Sequence, residues 1–145
     1  MLPLITALGV SAALMLTTGA VHYEVLRTIT AIRGRVQISH RAELFGFIAA
    51  ALLAHLVCVS LYALAYAWMH EHPQLGALQG RLDAVASDFW YFSLTCYTSL
   101  GLGDIYPASP IRIVAGIEAL NGLLLIAWSA AFTVYKLERL WRDDP

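Results

Sequence analysis

The sequence predicts an all-α membrane protein with three transmembrane helices. A short re-entrant helix and a glycine-bearing loop lie between the last two. Three observations predict it. The 145 residues are 59% hydrophobic and 13% charged, against about a quarter charged in an ordinary soluble domain, and the mean hydropathy is +0.67. Apolar runs long enough to cross a hydrocarbon core recur three times. Between the second and third lies an aromatic stretch of about eleven residues, too short to span a bilayer and too apolar for a solvated loop. A chain this apolar has too little polar surface to cover a water-facing globule, so the lipid bilayer is its expected solvent.

The first span, Leu2 to Val21, carries no charge before Glu24. Twenty helical residues rise ~30 Å, which matches a hydrocarbon core. No Lys or Arg precedes Arg27. The positive head of a cleaved signal peptide is therefore missing, and a permanent helix is expected. Gly9 and Ala13 form a small-xxx-small pair suited to close helix approach. The second span, 44–69, is ~39 Å long as a straight helix and should tilt or project from the core. Tyr62, Tyr66 and Trp68 gather near one end, as interfacial aromatics do. The third span, 111–135, starts just after Pro110, whose missing donor suits a helix start.

Seven of the nine basic residues fall in two clusters. Arg27, Arg33, Arg35 and Arg41 lie between spans one and two, whereas Lys136, Arg139 and Arg142 follow span three. The positive-inside rule places both clusters in the cytoplasm. The N-terminus and the stretch 70–110 are then outside, with the C-terminus cytoplasmic. This divides the chain into an N-terminal helix with a basic linker, 1–40, and a second unit, 41–145.

Residues 70–86 read as a polar turn. After it, Ser87 is placed to cap a helix and Asp88 suits that helix's positive end, giving a short helix over 87–98. The next segment, Ser99-Leu100-Gly101-Leu102-Gly103-Asp104, has glycine at alternate positions, which frees the backbone for conformations closed to other residues. Irregular backbone at membrane depth must be buried in protein or line water. An extended strand with its carbonyls turned to one side offers a row of hard oxygen ligands that can replace the hydration shell of a cation. One chain supplies one wall, so a closed ring needs several chains.

Tyr91-Phe92-Ser93, followed by Thr98-Ser99-Leu100-Gly101-Leu102-Gly103-Asp104, resembles the pore helix and signature sequence of the tetrameric potassium channel superfamily, whose usual form is Thr-Thr-Val-Gly-Tyr-Gly-Asp. The resemblance covers roughly residues 41–140. It implies a homotetramer in a cell membrane, the chain and three further copies of itself, with potassium as the permeant ligand and no other cofactor. The filter would run over 98–104, between an outer helix at 44–69 and an inner helix at 111–135. Thr98, Ser99, Leu100, Gly101, Leu102 and Gly103 would form it, with potassium held at Ser99, Leu100, Gly101 and Leu102. Asp104 takes the position of the aspartate that anchors the filter from behind. Phe92 matches a pore-helix tryptophan and Leu102 the tyrosine it braces, so both sides of that brace are apolar here. Such a filter is held by packing, more deformable and less strict against sodium. The acidic residue expected behind the filter is Thr95, which leaves Trp90 or Tyr91 to brace Asp104. The whole chain is also similar to small bacterial potassium-channel-like proteins, which implies the inner membrane.

Glu118 falls eight residues into span three, ~12 Å below the outer surface. A charge at a helix centre costs about 2.5–3.5 kcal/mol on insertion scales. Glu118 is therefore expected to work as a hydrogen-bonded brace behind the filter near Thr95 or Tyr97, or else to line the cavity. His55, mid-span, reads as a neutral imidazole bonded to a neighbour, with proton sensing the sharper alternative. His70-Glu71-His72 reads as an exposed turn or a divalent-ion site, and His22-Tyr23-Glu24 as the interfacial end of span one. Gly122 lies where inner helices of the family often hinge, and a close helix crossing would explain it equally well. Ile126, Ala130, Ala131 and Val134 are candidates for a water-facing stripe.

No arginine recurs every third residue in a span, so no voltage sensor is expected. His55, Glu118 and Cys58 show no nucleophile–base pairing and no metal spacing, so no enzyme is expected. Cys58 and Cys96 form no Cys-x-x-Cys and read as small buried hydrophobes. The net charge of −1 gives no case for nucleic acid. Potassium-selective passive conduction is the leading function. A weakly selective monovalent cation channel and a non-conducting scaffold or accessory subunit are the alternatives, and a separate regulatory partner is one remaining route to gating.

Overall fold

A computed structural model describes residues 1–33 and 39–142. Arg35 of the basic linker lies outside the described residues, as do the side chains of Arg33, Arg139 and Trp141. Three long helices dominate: α1 Leu2–Arg33, α2 His40–His70 and α4 Ile111–Arg142. All three are long and apolar enough to cross a membrane. At 31 or 32 residues each they reach ~47 Å, beyond the hydrocarbon core, and so tilt or project from it. They overrun the expected spans because the flanking segments keep good helix formers without an interior proline. At the start of α2, the Ser39 side chain accepts from Ala42 N, which satisfies one of the orphan donors of the first turn.

Each long helix buries one stripe. On α1 it is Ala7, Ser11, Thr18, His22 and Leu26; on α2 it includes Phe47, Ala51, Ala54, Cys58, Tyr62, Tyr66 and Met69. Both stripes recur at helical period. Much of the remaining surface is apolar and exposed: Leu16, Leu52, Leu64, Leu120 and Leu124 are each more than half uncovered, as suits helices solvated by lipid. The Gly9/Ala13 pair lies on this outer face. Ala7 and Ser11 are the small pair that meets neighbouring helices, because a shift of two residues rotates a helix position by about 200°.

Cross-helix hydrogen bonds fix the directions. Thr18 pairs with Asn121 and His22 with Ser129, so α1 and α4 run parallel. Tyr66 pairs with Glu118, Tyr62 with Asn121 and His55 with Ser129, so α2 runs antiparallel to both.

Between α2 and α4 lies a twelve-residue helix, α3 Ala86–Tyr97. Its N-cap is Val85, with no side-chain cap, so Ser87 sits inside the first turn. Asp88 does the local tethering instead, its Oδ2 accepting from Asp83 N at 2.8 Å. α3 follows the direction of α4: Ser93 meets Glu118, and one turn further along both helices Tyr97 meets Gly122. The stretch 70–86 is more than a polar turn. It holds a 3-10 turn, Pro73–Leu75, and a strand, β1 Ala77–Gly80. β1 pairs antiparallel with β2 Ile105–Ala108, from Ala77 opposite Ala108 to Gly80 opposite Ile105. The pair ties the ends of α2 and the 98–104 loop to the start of α4.

Candidate functional site

The loop leaves α3 through a tight set of backbone bonds. Thr98 N donates to Leu94 O and Ser99 N to Cys96 O; the amides of both Leu100 and Gly101 then turn back to the single carbonyl of Thr95, at 2.9 and 3.2 Å. The Thr98 hydroxyl also donates backwards, to Leu94 O at 2.8 Å. The donors at this end of the loop are thus claimed by α3. None of the carbonyls from Thr98 to Gly103 accepts a hydrogen bond from another described residue. Ser99, Gly101 and Gly103 have φ of 57°, 53° and 79°, whereas Leu100 and Leu102 are not among the positive-φ residues. This alternation of sign turns successive peptide units the same way, unlike the two-sided pleat of a β-strand. It needs glycine or a strained residue at every second position, and Ser99 is the strained one. All seven residues from Thr98 to Asp104 are exposed in the protomer, between fully packed Tyr97 and Ile105.

The far end of the loop is held by Asp104. Tyr91 OH donates to both its carboxylate oxygens, at 3.1 and 3.0 Å, and Asp104 O accepts from Arg81 N at 2.8 Å. Desolvation first, and then the carboxylate partner, hold the Tyr91 phenol above its ordinary range, so the phenol is the donor in this pair. Of the two expected substitutes, Tyr91 therefore takes the brace. Trp90 donates its Nε1 to Ser60 Oγ at 3.3 Å, tying α3 to α2.

Thr95 faces inward, its hydroxyl on Phe92 O at 2.8 Å, and it reaches the loop through its carbonyl. Phe92 is buried edge-on against Tyr66, with ring centroids 4.9 Å apart. Leu102 is 60% exposed and offers no polar atom to any brace. Glu118 is completely buried; it accepts from Ser93 Oγ at 2.6 Å and from the Tyr66 hydroxyl. Its partners are not the expected Thr95 and Tyr97: on α3 it meets Ser93, one turn before Tyr97, and its second partner, Tyr66, comes from α2. Glu118 thus braces α3 against α2 and α4, with Ser93 also donating to Val59 O. A Cβ at Gly122 would fall on the Tyr97 carbonyl oxygen, so a close crossing accounts for this glycine. Ile126, Ala130, Ala131 and Val134 are all exposed in the protomer.

Two buried polar groupings were not foreseen. Asn121 Nδ2 donates to Thr18 Oγ1 at 2.8 Å and to Tyr62 OH at 3.2 Å. Ser129 Oγ lies 2.6 Å from His22 Nε2 and 3.0 Å from His55 Nε2, and His55 Nδ1 lies 2.8 Å from Tyr97 OH. His22, expected only as part of the end of span one, is fully buried among the helices, since it falls four residues after Thr18 on the inward stripe of α1. The available signal was the spacing of Glu118, Asn121 and Ser129, which puts three polar side chains on one face of an apolar helix. His70 and His72 are occupied by backbone, His70 Nδ1 by Leu78 N and His72 Nδ1 by Trp68 O. No group of three or more potential metal ligands occurs among the described residues.

Residues 54–139 match the model of a family described as ion channel. No curated protein and no solved structure matches the chain.

Proposed function

The chain belongs to this ion-channel family, and from that premise we propose that four copies assemble around one axis and pass potassium through a ring of backbone carbonyls. The observation that carries the reading is the division of labour in the loop. Its first four amides, from Thr98 to Gly101, turn back onto α3, and the carbonyls of Thr98 to Gly103 are left unclaimed. Backbone oxygens at membrane depth must be paired or line a polar path, so a run of free ones belongs where another ligand takes them. Potassium is held at Ser99, Leu100, Gly101 and Leu102, with peptide oxygens replacing its water.

In this reading α3 is the re-entrant pore helix. Its C-terminal end, where helix dipoles are negative, favours a cation at the membrane centre. Residues 41–145 form the pore unit, and α1 is an addition to it. The exposed loop of each protomer is covered by its neighbours and by the ion column. The basic clusters around Arg27, Arg41, Lys136 and Arg142 orient the chain with its C-terminus in the cytoplasm of a bacterial inner membrane and its N-terminus outside. One observation favours a weakly selective monovalent cation channel as the second reading: the Leu102 side chain has no polar group with which to lock the filter radius.

Both readings are tested on purified protein in lipid vesicles with opposed potassium and sodium gradients. The potassium reading expects a reversal potential that follows the potassium gradient. A reversal potential indifferent to which ion fills the vesicle supports the second reading, and a silent membrane removes both.

A further inference from the structure

The family match begins at residue 54, so it gives α1 no role. The structure does give it one. α1 is packed against α2 and α4 of its own chain, and its buried His22 opens a continuous chain of side chains that ends at the root of the filter. Ser129 Oγ stands between the two imidazoles, at 2.6 Å from His22 Nε2 and 3.0 Å from His55 Nε2. The two rings lie 4.7 Å apart between centroids. His55 carries the chain on to Tyr97 OH at 2.8 Å. Tyr97 is the last residue of α3 and the one before the filter begins.

Proton counting gives the chain a direction. The Ser129 hydroxyl has one proton and donates it to Leu125 O at 3.0 Å. Both imidazoles must then bring a proton on Nε2 to bond Ser129. His55 Nδ1 is left with a lone pair, which accepts from the Tyr97 hydroxyl. The same tautomer on His22 leaves its Nδ1 bare, and that atom is the one buried side-chain nitrogen or oxygen without a partner among the described residues. Every other contact in the chain is matched donor to acceptor. Tyr97 is also fixed at its other end, where its carbonyl lies against Gly122 with no room for a Cβ. Its position is set jointly by α4 at the backbone and by the histidine chain at the hydroxyl.

We propose that α1 is a working part of the pore, and that His22 and His55 are positioning residues which hold the inner end of the filter through Ser129 and Tyr97. This rests on the channel reading above. A neighbouring side-chain contact provides the control: the Thr18 hydroxyl also docks α1 onto α4, through Asn121, and leads on to Tyr62 of α2. The Thr18 carbonyl, which accepts from Cys58 beside Tyr97, is kept when the side chain is changed.

The test uses the full chain in vesicles and measures the potassium-to-sodium permeability ratio, after confirming assembly in detergent. Tyr97→Phe and His22→Leu are each expected to change the ratio by about threefold or more. The double variant should go no further than the stronger single, because the two cuts lie in one series. His55→Gln, which keeps an acceptor for Tyr97, should hold the ratio, whereas His55→Leu should not. Thr18→Val should leave it unchanged. If His22→Leu does not assemble, Ser129→Ala makes the same cut without adding volume. The proposal is overturned if assembled variants cut in this chain keep the native ratio, or if Thr18→Val moves the ratio as far as they do. Native protein that conducts while those variants match it removes the coupling alone. Native protein that carries no ion removes the channel reading, and the coupling with it.

Discussion

Behind α3, Glu118 is sealed from solvent and accepts from two hydroxyls; in front of it, Asp104 is exposed and takes both its bonds from one phenol. The contrast extends beyond the two acids. On the rear face, Ser93, Tyr66 and Phe92 are buried, the two hydroxyls are paired, and the crossing at Gly122 leaves no room for a Cβ. On the front face, seven consecutive residues are exposed, and the carbonyls of the first six, Thr98 to Gly103, are unclaimed. The rear is built like a protein core, where close packing makes any change of volume felt. The front is an open surface. Damage at the rear should therefore read out as lost stability or assembly, and damage at the front as altered ion discrimination in a protein that still folds.

The strongest challenge to that division is Glu118→Ala. It leaves the Tyr66 hydroxyl buried without an acceptor, at ~1–3 kcal/mol, while Ser93 keeps Val59 O, and it opens a cavity beside them. Thermal unfolding in detergent should fall steeply, with Glu118→Gln intermediate because it retains one acceptor. An unfolding temperature unmoved by the alanine would mean the rear face does not stabilise the fold. Gly122→Ala is expected to be milder, about 1–3 kcal/mol as overpacking, since α4 must shift off the Tyr97 carbonyl. The same unfolding measurement would sharpen the contrast if filter selectivity also changed, because the crossing touches the residue that leads into the loop. Tyr91→Phe should do least to stability: it removes one exposed hydroxyl and leaves the unfolding temperature near native. Its effect should appear as a lower potassium-to-sodium permeability ratio, since Asp104 loses its side-chain partner. A large drop in unfolding temperature for this variant would erase the distinction between the faces.

Much of this was legible in the residues themselves. The three spans follow from long apolar runs, and the special loop follows from glycines at 101 and 103 after a short aromatic helix. These are local signals. What escaped depends on pairing across the fold. β1 and β2 are four residues each, and their sequences, Ala77-Leu78-Gln79-Gly80 and Ile105-Tyr106-Pro107-Ala108, show no alternation by which either could be found alone. Tyr91 and Trp90 were interchangeable as braces in sequence, because one residue of helix turns a side chain through about 100°; the packed structure gives Asp104 to one and Ser60 to the other. Glu118 was recognised as needing partners, but depth along one helix could not say which turn of α3 it faced. Thr18 and His22 were missed for a related reason. Their inward phase is evident only against Asn121 and Ser129, more than a hundred residues away.

The unclaimed carbonyls of 98–103 also bear on the life of a single newly made chain. Alone in hydrocarbon it would hold those oxygens against acyl tails, where unsatisfied backbone polar groups are strongly disfavoured. If copies assemble as proposed, a solitary chain is the least stable form of the protein. Raising or lowering synthesis would then alter how many finished assemblies a cell holds, while each keeps its full complement of chains.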